Sequence, residues 1–227
     1  MHIHRCKPSG WPARTGKERG IKIAIIGAGN VGNALGTAWR HRGHRGHRVM
    51  FGVRDPDDPK YASLDAVETN EFATGAADVV VLCTPWQGTR AAVRGCGDLA
   101  GKVLIDCTNP LTPDLAALEV GLVTSGAEEV AKWAPGALVC KAMNQIGAPM
   151  MDGPQLPGTP VMFICGDDDA AKSVTADLVG ELGFETVDVG DLTMARLLEP
   201  YGLLWIQLAL RRGLGTHFGF GLLRGRS

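Results

Sequence analysis

The chain has almost no net charge: 23 Lys and Arg stand against 24 Asp and Glu across 227 residues, leaving −1. A surface so balanced offers no basic field to hold nucleic acid or an anionic membrane, and neither partner is expected. The sequence also lacks a CxxC pair. Cys83, Cys107, Cys140 and Cys165 fall in or at the end of apolar, strand-like runs. That placement fits buried, reduced thiols in a cytoplasmic protein better than a disulfide framework. No secretory signal is visible, because "MHIHRCKPSGWPARTGKERG" has charges, Pro and Gly but no apolar stretch. It reads as a disordered lead over 1–20, or as a start placed too early. A membrane span is missing too, since "YGLLWIQLAL" is about half the length one needs. No GxSxG element and no His/Cys constellation points to hydrolysis.

What the chain does have is alternation. Apolar runs at 21–27, 47–53, 78–84, 102–108, 137–143 and 160–166, with a shorter one at 186–190, read as strands. Helical patterns follow several of them: one carries Val31, Leu35 and Ala38 on a single face, and others cover 86–95, about 125–133 and about 168–182. Ser125 with Glu128 three residues on is a capping-box pattern. Strands with continuous Val/Ile/Leu runs are buried on both faces, so the expected fold is α/β: a Rossmann-type, doubly wound parallel sheet with a small C-terminal helical portion. The division expected is a dinucleotide-binding domain over 21–150 and an αβ unit with a final helix over 151–227.

The stretch "IIGAGNVGNALG" (25–36) sets three glycines between the first strand and the first helix. GxGxxG is weak evidence alone, but strand, helix and second strand all stand at the spacing a dinucleotide site requires. Gly27 permits the tight turn, Gly29 lets backbone approach a pyrophosphate, and Gly32 lets helix pack close to strand. The helix N-terminal amides then face the anion. The second strand ends in Gly52-Val53-Arg54-Asp55, where Arg54 is placed to meet a 2′-phosphate, so NADP is preferred to NAD. The strand ends "CTPW" (83–86) and "CTNP" (107–110) place Thr84, Pro85 and Asn109 on the nicotinamide side, beyond the carboxyl ends of the strands.

Two other clusters invite a metal reading and carry simpler ones. "HRGHRGHR" (41–48) repeats a three-residue unit with no carboxylate or cysteine nearby to complete a ligand set. Asp167, Asp168 and Asp169 stand where a helix N-terminus accepts acids. No metal is expected.

Taken together, "KIAIIGAGNVG", "GVRDP", "VLCTPW", "MNQIGA", "ICGDDDAAK" and "ARLLEP" resemble the NADPH-dependent reductases of the deazaflavin coenzyme F420, over about residues 21–224. The resemblance implies hydride transfer between NADPH and the deazaflavin ring, often in a dimer. It implies that Ala28, Gly29, Asn30 and Val31 hold the pyrophosphate, that Val53 and Arg54 hold the 2′-phosphate region, and that Thr84, Pro85, Trp86, Asn109 and Asn144 through Ala148 line the two facing rings.

Direct transfer between carbons needs orientation and exclusion of water, so no catalytic acid, base or nucleophile is assigned. The last helix, expected over about 191–211, is apolar on much of its surface, and burying it calls for its own fold or a second copy. A homodimer through this helix is expected. Pro200 is expected to kink or break it near residue 199, and Arg196 and Glu199 can pair at i, i+3. Two alternatives remain open: the same NADPH site serving a flavin, quinone, ferric chelate or imine, and a non-catalytic dinucleotide sensor.

Overall fold

The computed structural model describes residues 20–42 and 46–225. The expected lead over 1–20 lies outside them apart from residue 20, as does the middle of the histidine repeat.

Eight strands form one sheet in the order β3-β2-β1-β4-β5-β6-β7-β8. The strands are β1 (Lys22–Ile26), β2 (Arg48–Val53), β3 (Val67–Thr69), β4 (Val79–Leu82), β5 (Val103–Asp106), β6 (Leu138–Lys141), β7 (Val161–Gly166) and β8 (Glu185–Asp188). The helices are α1 (Asn30–Arg42), α2 (Asn70–Gly75), α3 (Trp86–Arg94), α4 (Gly126–Trp133), α5 (Asp169–Glu181) and α6 (Ala195–Ile206). Both faces of the central strands are buried, which explains their unbroken apolar runs. Ile23, Ile25, Val79, Val81, Val103 and Ile105 pack toward Leu35 and Trp39 of α1 and Leu178 of α5. Their neighbours Ala24, Ile26, Val80, Leu82 and Leu104 pack on the other face with Val93, Val130 and Leu198. Trp39 ties α1 to α5, donating from Nε1 to the Leu178 carbonyl at 2.9 Å.

The doubly wound sheet matches the expectation except at one junction. β7 runs antiparallel to β6, with Lys141 opposite Cys165, and β8 then pairs parallel to β7. The stretch between β6 and β7 contains only a single 3₁₀ turn, Ala148–Met150. With no helix long enough to carry a crossover, the chain returns beside the strand it has just left. β3 and α2 were not anticipated. β3 is three residues long and only partly buried, so it has no apolar run to read.

The last helix begins as a 3₁₀ turn capped by Asp191, continues as α6, and ends in a π-helical turn over Gln207–Arg211. It continues through Pro200, so the break considered near residue 199 does not occur. Pro200 is solvent-exposed, the side on which water can replace one lost helical bond. Arg196 and Glu199 do not pair with each other. Arg196 grips Glu128 of α4 with Nε at 2.9 Å and Nη2 at 2.6 Å, while Glu199 is fully buried against Lys141 of β6 at 2.8 Å. The apolar surface of α6 divides. Leu198, Gly202 and Trp205 are buried, whereas Leu197 and Leu204 stay 63% and 50% exposed. Among the described residues no helix is long and apolar enough to cross a membrane.

Candidate active site

The turn between β1 and α1 is shaped by its three glycines, each for a different reason. Gly27 has φ +102°, a conformation L side chains avoid, and its N–H donates to the Gly52 carbonyl at 3.0 Å. A Cβ on Gly32 would lie 2.0 Å from the Gly27 carbonyl oxygen. A Cβ on Gly29 would meet nothing within 4 Å. It would project into open space, in the cradle where backbone can approach a ligand. The loop is braced from within: Asn33 donates from Nδ2 to the Ala28 carbonyl at 3.1 Å. No acidic side chain stands in the first turn of α1, so nothing there opposes an anion.

Beyond the carboxyl ends of the strands lie two cavities that join across Gly29, Cys83, Thr84 and Pro85. The first, 570 Å³, holds Gly27, Ala28, Val53 and Arg54, together with Tyr61 and Asn70. Arg54 is exposed at the end of β2 and has no ion pair among the described residues. Val53 is 4% exposed, so its side chain serves the core. The second, 740 Å³, holds Asn30, Val31, Trp86, Asn109, Asn144 and Ala148. The fold thus brings Gly27 through Val31, Val53, Arg54, Thr84, Pro85, Trp86, Asn109, Asn144 and Ala148 to the walls of these two cavities, whereas Gln145 is not among them and its amide donates to Asn144 Oδ1 and the Phe163 carbonyl. Cys83, Cys107 and Thr108 of the same two strand-end motifs also line the second cavity, and so do four residues that no local motif announced, Trp205, Ile206, Leu210 and Thr216 from the C-terminal portion.

Several of these side chains are already committed. Thr84 Oγ1 lies 2.9 Å from Thr89 Oγ1, which in turn donates to the Pro85 carbonyl at 3.0 Å, fixing the start of α3. Trp86 packs on Trp133 of α4 with ring centroids 5.3 Å apart. Asn109 Nδ2 donates to the Asn144 carbonyl at 2.8 Å, and Asn144 Nδ2 donates to both Asn109 Oδ1 (3.0 Å) and the Leu198 carbonyl (2.9 Å). This pair couples β5, the turn after β6 and α6. A Cβ on Gly202 would lie 2.7 Å from the Asn144 carbonyl, so α6 can come this close only at a glycine. Met143, just before Asn144, is a buried non-glycine residue at φ +58°. Such strain persists only where the surroundings impose it.

Under the second cavity lies a buried charge cluster. Lys141, at 0% side-chain exposure, meets Asp106 at 2.9 Å and Glu199 at 2.8 Å, and its ammonium also donates to the Thr108 carbonyl. Glu199 accepts the amides of Gly126 and Ala127 at the start of α4, at 2.8 and 3.0 Å. Burial pushes the Lys141 pKa down, but the two carboxylates more than offset it, so the net shift is upward and the ammonium stays charged. The Cys107 thiol is raised well above its usual value, first by its contact with the Cys83 thiol and then by burial. It is no ready nucleophile. The second cavity is lined by no charged side chain among the described residues. What remains is a long apolar slot with neutral polar groups, suited to holding flat rings face to face.

The three aspartates considered for a metal are taken up structurally. Asp168 caps α5 through Ala171 N at 2.8 Å, Asp167 accepts Leu192 N at 2.8 Å, and Asp169 pairs with Lys172 at 3.1 Å. His47 is buried, accepts Ile21 N at 3.0 Å and contacts Glu181 at 2.7 Å.

A glycine turn opening α1 beside the point where the strand order reverses, with an uncharged cleft beyond it, defines a dinucleotide-dependent oxidoreductase of the Rossmann class. The chain belongs to the family described as coenzyme F420-dependent NADP oxidoreductases, whose pattern matches residues 22–110. A solved protein of Arthrobacter sp. FB24, provisionally named an F420-dependent NADP reductase, superposes with a TM-score of 0.81 at 30% identity, covering 90% of this chain and 100% of that one. The F420-dependent NADP reductase of Methanocaldococcus jannaschii is 24% identical over 211 residues, 84% of this chain and 93% of that protein. The rat metalloreductase STEAP3 is 29% identical over 184 residues, 80% of this chain. The match covers 36% of that relative's length.

Proposed function

We propose that this NADP-dependent oxidoreductase transfers a hydride between NADPH and the deazaflavin coenzyme F420. The observation that carries the reading is the continuous cleft, which runs from an anion-compatible glycine turn to an uncharged slot. When bound, the nicotinamide and deazaflavin rings supply the hydride donor and acceptor carbons. The protein's part is then to bind, orient and exclude water. In this reading the Gly27–Val31 turn takes the pyrophosphate and Arg54 takes the 2′-phosphate. Thr84, Pro85 and Asn109 lie on the nicotinamide side, and with Trp86, Asn144 and Ala148 they line the two facing rings. The five described cysteines are all free and buried, which supports a reducing, cytoplasmic setting.

The test is anaerobic stopped flow with NADPH and oxidised F420, with NADH and FMN as parallel samples. Rapid bleaching of the deazaflavin band with NADPH, and slower bleaching with NADH, is the expected result. Bound NADPH with no bleaching would move the assignment to another acceptor or to a sensor. The acceptor half has no cationic side chain among the described residues to select an anionic partner, which keeps a neutral quinone or flavin ring as the second reading.

We also propose a homodimer through the exposed face of α6. Leu197 and Leu204, seven residues apart and so on one face of α6, are 63% and 50% exposed, an arrangement water disfavours on an isolated chain. Light scattering at micromolar concentration should return twice the chain mass; a monomer there rules the interface out.

A further inference from the structure

Part of the wall of the second cavity is built from two segments far apart in the chain. The stretch 110–119 after β5 contributes Leu111, Pro113 and Leu115, and the end of α6 with its π-helical turn contributes Ile206 and Leu210. The first segment folds as a small hairpin of its own. Leu111 bridges Leu118, the Thr112 N–H donates to the Ala117 carbonyl at 2.9 Å, and the Glu119 N–H donates to the Pro110 carbonyl at 2.7 Å. At its tip the Asp114 carboxylate is held within the hairpin, accepting from Thr112 Oγ1 at 2.6 Å and the Ala116 N–H at 3.1 Å. The tip carbonyls are taken from outside, by two side chains of the π-helical turn. Gln207 Nε2 donates to the Leu115 carbonyl at 2.6 Å, and Arg211 Nη2 donates to the Asp114 carbonyl at 3.0 Å. Leu115 is a non-glycine residue at φ +59°, a strain that persists only where the surroundings impose it. It is also 39% exposed, so the constraint comes from the hydrogen bonds at the tip rather than from core packing. A π-helical turn is itself rare and often marks a functional place in a helix, and here it carries both donors.

We propose that Gln207 and Arg211 are positioning residues for the electron acceptor. By tying down the hairpin tip they hold Pro113 and Leu115 in the wall of the slot, and so fix its width for a flat, fused-ring acceptor. With the tip untied, the slot widens and the ring is free to tilt away from the geometry that hydride transfer requires. The nucleotide half is independent of this tie, because no residue of either segment lines the first cavity. The proposal rests on reading the second cavity as the acceptor half.

The test is the double substitution Gln207→Leu with Arg211→Met, which removes both donors and keeps most of the side-chain bulk. Arg211→Lys, which keeps a donor at that end, is the conservative control. Four quantities are measured: the melting temperature, amide hydrogen exchange over 111–118 without ligand, Kd for NADPH, and KM and kcat for F420. Both ties are solvent-exposed, so the double variant should melt within about 3 °C of wild type. Exchange over 111–118 should quicken at least about fivefold. KM for F420 should rise about tenfold, as the loss of two hydrogen bonds implies, with a smaller fall in kcat and no change in Kd for NADPH. Arg211→Lys should stay close to wild type in all four. Unchanged exchange over 111–118 overturns the proposal, as does an unchanged KM, or a parallel weakening of NADPH and F420. Should the double variant melt far lower, the single substitution Gln207→Leu carries the same comparison. Should the wild type reduce FMN and not F420, KM for FMN takes the place of KM for F420. A wild type that binds NADPH but reduces neither acceptor overturns the reading of the second cavity before any variant is made, and the proposal falls with it.

Discussion

Lys141→Met is expected to lower the melting temperature by roughly 10 °C, the largest stability loss of any single substitution considered. Lys141, Asp106 and Glu199 have side chains at 0% exposure. Removing the ammonium leaves two carboxylates buried side by side, and breaking a buried pair this way costs about 3–5 kcal/mol. In a chain of this length each kcal/mol moves the midpoint by about 2–4 °C. The pH dependence has a definite sign. Lys141 is raised above the ordinary lysine value in the folded state, so its stabilisation is fully present below about 10.4 and fades only as pH climbs beyond that. The gap between wild type and variant should therefore hold constant from pH 7 to 9 and narrow in strong alkali. Calorimetry at several pH values checks both points. A gap under 2 °C at pH 7 would mean the cluster does not stabilise the fold as its geometry implies. Adding Glu199→Gln to the variant should recover part of the loss, because it withdraws one of the two stranded charges.

That cluster also marks where a sequence stops being readable. Arg196 and Glu199 lie one helical turn apart, and local spacing pairs them. The fold pairs each with a residue far upstream instead, Arg196 with Glu128 and Glu199 with Lys141. Nothing in a linear pattern announces such contacts, because they depend on which helix face meets which strand end. The same limit hid the ties from Gln207 and Arg211 to the hairpin tip, which span 92 and 97 residues of chain. The strand-end and glycine-loop residues were legible for the opposite reason. Their conformations follow from local demands: a positive φ at Gly27, a helix start at Asn30, a strand ending at Val53. β3 and α2 escaped notice because a short, half-covered edge strand carries no apolar run. The antiparallel return at β7 left no mark in the strand itself. Its cause is the missing helix in the connection before it, where "MNQIGAPMMDGPQLPGTP" has the prolines and glycines of a loop.

Gly29→Val should abolish NADPH binding, raising Kd at least about 100-fold, while leaving the fold almost untouched. The two halves of that expectation come from one measurement of space. A Cβ at Gly29 meets no atom within 4 Å, and the residue lines both cavities where they join. A side chain there therefore starts in open space at its Cβ and fills the room a pyrophosphate needs to approach the α1 amides. Gly29 is not among the positive-φ glycines, so its backbone does not demand glycine, and the melting temperature should stay within about 3 °C of wild type. Gly32→Ala is the contrasting case. Its Cβ would lie 2.0 Å from the Gly27 carbonyl, α1 must shift away from the turn, and stability falls together with affinity. Fluorescence titration with NADPH, paired with thermal melts of both variants, separates the two. If Gly29→Val binds NADPH within threefold of wild type, the pyrophosphate does not lie over this turn, and the placement of the nucleotide along the cleft is wrong from its first residue onward.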